Sequence, residues 1–334
     1  MKNYLFYFLG LVSIFANSCK NNNFRDEEYV QIPDFDFQKS IKFKESLSEY
    51  EIFEGLPSDL VPSKDFHLLE LSSKLFTDYA HKQRLVKLPA GTKIDKLDDN
   101  SVEFPNGTIL TKTFFYYNDE RDKSLGKQII ETRLEIKEND IWNVATYIWN
   151  KQQTDATIET NGLETKISWI SVNGTTRSTN YQVPTENQCM TCHQSNSKMT
   201  PLGPTLRNLN RTVYRDSTNL NQIDYLKSVG ILNEFDISQI NNIVDYKNTT
   251  ASLTERSRAY LDINCAHCHN PKGWDESTQR RFDFRYETPL EKPGFLRKKE
   301  QVVNTMMRGK MPFIGTTMLD EEGIELLKEF TESL

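Results

Sequence analysis

Four of the five cysteines in this 334-residue chain stand in two pairs of identical spacing, and each pair is followed at once by a histidine. The segments are Cys189-Met190-Thr191-Cys192-His193 and Cys265-Ala266-His267-Cys268-His269. Two thiols so spaced can add as thioethers to the two vinyl groups of a haem, and the adjoining histidine then reaches the iron from one side. The pattern makes Cys189, Cys192, Cys265 and Cys268 attachment residues for two covalently bound c-type haems, with His193 and His269 as proximal iron ligands. A single zinc site, or two redox dithiols, are the competing readings. A four-cysteine zinc ribbon usually has about 15 to 20 residues between its pairs. Here more than seventy intervene, and dithiols would require neither histidine.

The sixth iron position separates the two sites. Around the second, a helix from Thr254 to Ile263 leads into Cys265, Asn270-Pro271-Lys272-Gly273 forms a loop, and Met311-Pro312 stands before a terminal helix. That order resembles a small single-haem cytochrome c domain. Met311 is then the distal ligand, because a thioether opposite histidine suits an electron-transfer haem. Met306, Met307 and Met318 are its substitutes, and core packing is the alternative role for Met311. No Met-Pro pair follows the first motif before the second begins, and the segment Tyr181-Gln182-Val183-Pro184 before it reads as extended. Met199, His67, His81 and His267 are the candidates there. If His81 ligates, it clamps the two halves of the chain together through iron. If none does, the first haem is open to peroxide or another small ligand.

The elements that must hold these motifs fall into two kinds. From residue 46 to 185 strand and turn signals dominate. The β-branched and aromatic run Thr108 to Tyr117 follows Phe104-Pro105-Asn106-Gly107, and Ile129 to Ile136 and Trp142 to Trp149 come at similar spacing. Asn161-Gly162 and Asn173-Gly174 read as two hairpin turns, since both dipeptides tolerate positive φ. Beyond Pro184 the period becomes helical. Leu220 to Leu232, Thr254 to Ile263, Phe295 to Arg308 and Glu321 to Leu334 are the expected helices, with Asp320 as an N-cap. The expected fold is α+β and multidomain: an antiparallel β-sandwich or barrel, followed by an α-helical cytochrome c-like diheme region. Its parts are a first haem segment at 186–250 and a cytochrome c-like domain with the second haem at 251–334.

The N-terminus places this body outside the cytoplasm. Lys2 and the apolar run Tyr4 to Phe15 make a secretory signal too short to span a membrane stably. Ala16-Asn17-Ser18-Cys19 resembles the lipobox of bacterial lipoproteins, so residues 1–18 are expected to be removed and Cys19 to carry lipid. The alternative is an ordinary signal peptide with Cys19 incidental. Residues 19–45 begin with the polar run Lys20 to Glu28 and read as a tether. A net charge of −6 argues against nucleic acid as a partner. Mean hydropathy of −0.63 describes a soluble body.

The stretch from Arg256 to Gly273, with Leu75 to Arg84 and Phe104 to Thr108, resembles a bacterial family of diheme c-type cytochromes with a β-rich N-terminal half. Glu131-Thr132-Arg133, Tyr147-Ile148-Trp149 and Pro201-Leu202-Gly203-Pro204 belong to the same resemblance. It implies haem binding and electron transfer, and no substrate; with the secretory signal and Cys19, the expected partners are other redox proteins at the periplasmic face of the outer membrane or the cell surface. Two other functions compete with an electron carrier. One is a diheme oxidoreductase resembling cytochrome c peroxidases, for which no catalytic acid or base stands out. The other is a binding or assembly module built on the β-rich part.

Overall fold

Period-two runs of β-branched and aromatic residues pleat into strands, and in the computed structural model they form one antiparallel sheet. The described residues are 40–334, apart from 99, 196–197, 274–281, 292–294 and 313; the signal segment and Cys19 lie outside them. Strands β1 (His67–Leu68), β2 (His81–Lys87), β3 (Ile109–Tyr117), β4 (Lys127–Glu138), β5 (Ile141–Trp149) and β6 (Ala156–Glu159) lie side by side in chain order. The result is mixed α and β, with a large antiparallel sheet in the N-terminal half and helices at the C-terminus. The expected barrel is corrected: β1 and β6 are opposite edges of an open sheet and do not pair.

Each face of the sheet has its own cover. Leu85, Phe115, Ile129, Leu134, Tyr147 and Trp149 pack under Phe43, Leu47, Ile52 and Leu60 of the preceding segment. Residues 40–45, expected in the tether, therefore belong to the packed body. Phe43 is in the core, and the Ser40 amide donates to Asn143 Oδ1 at 2.8 Å. The opposite face meets a hairpin, β7 (Leu163–Ile170) and β8 (Thr176–Val183), and the chain around the first Cys-x-x-Cys-His segment. Because that cover is a hairpin and helices, no second full sheet completes a sandwich among the described residues.

Of the two Asn-Gly dipeptides, only Asn173-Gly174 closes a hairpin, between β7 and β8. Gly162 (φ +74) instead turns the chain from β6 into β7, and a Cβ there would meet the Val183 carbonyl oxygen at 2.8 Å. The crowding explains why glycine is needed although no two-residue turn forms.

Among the described residues the helices that follow are α1 (Glu186–His193), α2 (Gln222–Ser228), α3 (Leu253–Asn264), α4 (Phe295–Met307) and α5 (Glu321–Ser333), with a one-turn helix at Leu206–Leu209. The helix expected over Leu220 to Leu232 is shorter. Thr218–Asn221 pairs with Thr212–Arg215 as a small hairpin, and Asn221 then caps α2 through the Ile223 amide at 2.8 Å. Helix α3 opens with a reciprocal cap between Ser252 and Glu255. Asp320 caps α5 at the Gly323 amide and accepts from Tyr260 Oη at 2.9 Å, which fixes α5 against α3.

A buried carboxylate ties the terminal helices to the sheet. Asp78, in the turn before β2, accepts from the amides of Thr317 and Met318 and from Thr317 Oγ1 at 2.8 to 3.0 Å. Burial nevertheless pushes its pKa up, because those donors only partly replace lost water. Nearby, Asn264 Oδ1 accepts from the Phe76 amide at 2.7 Å. Both contacts come from the segment Leu75 to Arg84.

Candidate functional site

Strand β8 ends at Val183, and Pro184 follows, which disfavours further pairing. Thr185 then starts α1 with a reciprocal cap: its Oγ1 accepts from the Gln188 amide at 3.2 Å, and its own amide donates to Gln188 Oε1 at 2.9 Å. The first motif is thus helical although its approach is extended. Cys189 and Cys192 lie one turn apart on one face of α1, and His193 is its last residue. The second motif follows α3 directly, where the amides of Cys268 and His269 both bond the Cys265 carbonyl, at 3.2 and 2.9 Å. All four cysteines are free thiols. Burial pushes the thiols of Cys189 and Cys265 up to about 12, so both stay protonated at neutral pH.

His193 is held by its Nδ1 atom, which lies 3.2 Å from the Thr200 carbonyl oxygen and 3.3 Å from Glu135 Oε1. A carbonyl can only accept, so Nδ1 carries the proton and the Nε2 lone pair is left for a ligand. Burial, reinforced by Lys112 and Arg133, lowers the His193 pKa well below the usual value, which keeps the imidazole neutral. A neutral histidine with Nδ1–H tied to a carbonyl and a carboxylate is the arrangement that orients metal-binding imidazoles. His269 sits in an aromatic corner, with ring centroids 5.9 Å from Phe282 and 5.6 Å from Phe284. These residues belong to an apolar cluster that also holds Cys265, Ala266, Phe295 and Met306. Such surroundings suit a porphyrin, which is largely apolar, and the chain's own residues fit the group that the motifs imply.

The two motifs touch each other. Cys268 Sγ lies 3.6 Å from the Thr191 carbonyl oxygen. Cys192, His267 and Cys268 place their ligand atoms within 4.8 Å of one another, half-buried. Cys268, and after it His267, lowers the Cys192 thiol well below its usual range. Cys189 and Cys265 stand outside this trio, so the four cysteines do not converge on one point.

The remaining candidates are dispersed. His81 Nε2 pairs with Glu120 Oε1 at 2.7 Å, and its ring stacks on Phe115 on the face of the sheet that packs under the N-terminal segment. His81 thus lies across the sheet from the atoms that hold His193: Glu135, which touches His193, points from the opposite face, as the pairing of Leu110 with Glu135 requires. His67 lies on β1, paired with Val86 at the sheet edge. Met199 is buried in one cluster with Cys189 and Met190. Met311 is half-exposed between α4 and α5, outside the cluster around Cys265, whereas Met306 is inside it. The structure thus brings His267 and Met199 near the first motif and leaves His81 on the opposite face of the sheet.

Glu135 and Thr200 escaped the sequence reading. A signal for Glu135 exists in the charges at alternate positions of β4, Glu131, Arg133 and Glu135, on a strand flanked on both sides. No family model, curated protein or solved structure matches the chain.

Proposed function

We propose that this chain carries two haems covalently, at Cys189/Cys192/His193 and Cys265/Cys268/His269, and passes single electrons between redox proteins outside the cytoplasm. Lipid on Cys19 would hold it to a membrane. The observation that carries the reading is the orientation of His193, whose protonated Nδ1 is fixed by Thr200 and Glu135 beside two free thiols on one helical face. Haem bound there supplies a one-electron couple whose potential answers to axial ligand, hydrogen bonding and burial. The chain's own residues hold His193 in one tautomer, exclude water from Cys189, and surround His269 with aromatic rings. Contact between the motifs at Cys268 and Thr191 favours exchange of electrons within the molecule over two independent carriers. Met311 or Met306 for the second haem, and Met199 or His267 for the first, are the proposed distal ligands.

Potentiometric titration of the purified protein tests this directly. Two one-electron waves, with spectra unchanged by peroxide, are the expected result. Rapid oxidation by peroxide at one haem would make the protein an oxidoreductase instead. A second reading rests on the convergence of Cys192, His267 and Cys268, which could hold one zinc ion through two thiolates and an imidazole. Thioether formation consumes both thiols, so the readings exclude each other. Stoichiometric zinc in a protein without visible absorption would establish the second.

A further inference from the structure

Each motif turns one of its cysteines toward the other motif. Cys189 Sγ points back along α1 to the Thr185 carbonyl oxygen at 3.5 Å, in the core shared with Met190, Met199 and Leu206. Cys265 packs against the cluster that holds Phe284, Phe295 and Met306. Cys192 and Cys268 do neither. Their thiols hydrogen-bond each other, and together with His267 their ligand atoms lie within 4.8 Å. Cys268 Sγ also reaches the Thr191 carbonyl oxygen at 3.6 Å, so it rests on the backbone of α1 beside Cys192. Both are half-buried, whereas Cys189 is 5 % exposed. Partial exposure leaves these two sulfurs open to a small reagent.

We propose that Cys192 and Cys268 form a reversible disulfide that joins the two motifs in the chain before haem is attached. The proposal rests on the haem reading for the order of events, and on the contact between the motifs for the choice of cysteines. Outside the cytoplasm, where the sequence places the chain, disulfides form and persist. A disulfide bond is about 2 Å long, so the two side chains rotate from contact to bonding distance. The oxidant is a second disulfide such as oxidised glutathione. Cys192 Sγ attacks one of its sulfurs and releases one glutathione thiol; Cys268 Sγ then attacks Cys192 Sγ and releases the other. One S–S bond breaks and one forms, the two thiol hydrogens end on the released thiols, and the oxidant gains the two electrons the cysteines lose. The cross-link ties the motifs together across more than seventy residues of chain. It also leaves each motif one thiol, so neither takes haem through two thioethers until a thiol reductant reopens the bond.

The test uses the full mature chain with Cys19→Ser, made without haem and freed of zinc by a chelator. It is equilibrated with oxidised glutathione, its remaining thiols are capped, and intact mass and peptide mapping are read without reduction. The expected result is a Cys192–Cys268 link with Cys189 and Cys265 capped. Cys189→Ser/Cys265→Ser then loses two hydrogen atoms on oxidation, and Cys192→Ser/Cys268→Ser loses none and is capped twice; native circular dichroism is checked for each. Links within the motifs, Cys189 to Cys192 and Cys265 to Cys268, overturn the proposal, as do four capped thiols. If a double variant does not fold, the map of the four-cysteine chain decides alone. Because no haem is present, the outcome is independent of whether the same chain takes two porphyrins in a host that attaches them.

Discussion

At the scale of residues, His193 and the groups that touch its Nδ1 set the chemistry open to the first motif. A carboxylate near the proximal imidazole favours the oxidised, more positive iron. Glu135→Gln keeps the shape and removes the charge. The potential of one haem is expected to rise by about 50 mV, a Coulomb effect of roughly 1 kcal/mol, while the other stays. Spectroelectrochemistry of the purified variant checks this, and an unchanged pair of potentials would remove Glu135 from the site. The two Cys-x-x-Cys-His segments were legible in the sequence because their spacing is the one that thioether attachment would need. Glu135 was not, since it acts through a partner distant in the chain. Only the fold brings residue 135 to residue 193.

At the scale of elements, the terminal helices show how close packing positions the second motif. Gly323 on α5 faces Tyr260 on α3, and a Cβ there would lie 2.3 Å from the phenol ring. Tyr260 cannot swing aside easily, being 1 % exposed and bonded to Asp320. Gly323→Ala is therefore expected to lower stability by about 1–3 kcal/mol, although alanine is the better helix former. Thermal unfolding followed at the far-ultraviolet helix signal measures it, and an unaltered or raised midpoint would show that α3 and α5 are not locked as described. The helices α3, α4 and α5 were readable from apolar periodicity and caps. The helix around residue 225 was overread, because Leu220 continues the apolar pattern while Thr218–Asn221 is taken by a strand pairing that periodicity does not register. Asn161-Gly162 misled for a similar reason: the dipeptide marks a positive φ, and positive φ is also what a change of layer needs.

At the scale of the whole molecule, the sheet and the first motif share one core. Leu69, Val86, Leu110, Trp142 and Val144 from the sheet pack with Cys189, Met190, Met199, Leu206 and Ile223 from beyond it. The expected boundary at residue 185 therefore marks a change of secondary structure but does not separate two cores. Limited proteolysis of the native protein is expected to release no stable fragment ending near residue 185, because cleavage there exposes that apolar face. A folded 40–185 fragment that survives the protease would contradict the shared core. Composition carried the two element types well. It could not reveal that charged residues on β2, β3 and β4 face inward, because lysine and arginine in a strand ordinarily mark its solvent side.

The central claim is that each Cys-x-x-Cys-His segment holds a haem through thioethers. The most direct measurement is the intact mass, with the pyridine haemochrome spectrum, of mature protein made in a host that can attach haem to cysteine. Two porphyrins per chain are the expected result, falling to one in Cys189→Ser/Cys192→Ser and to one in Cys265→Ser/Cys268→Ser. A colourless protein of unmodified polypeptide mass after residue 19 would contradict it.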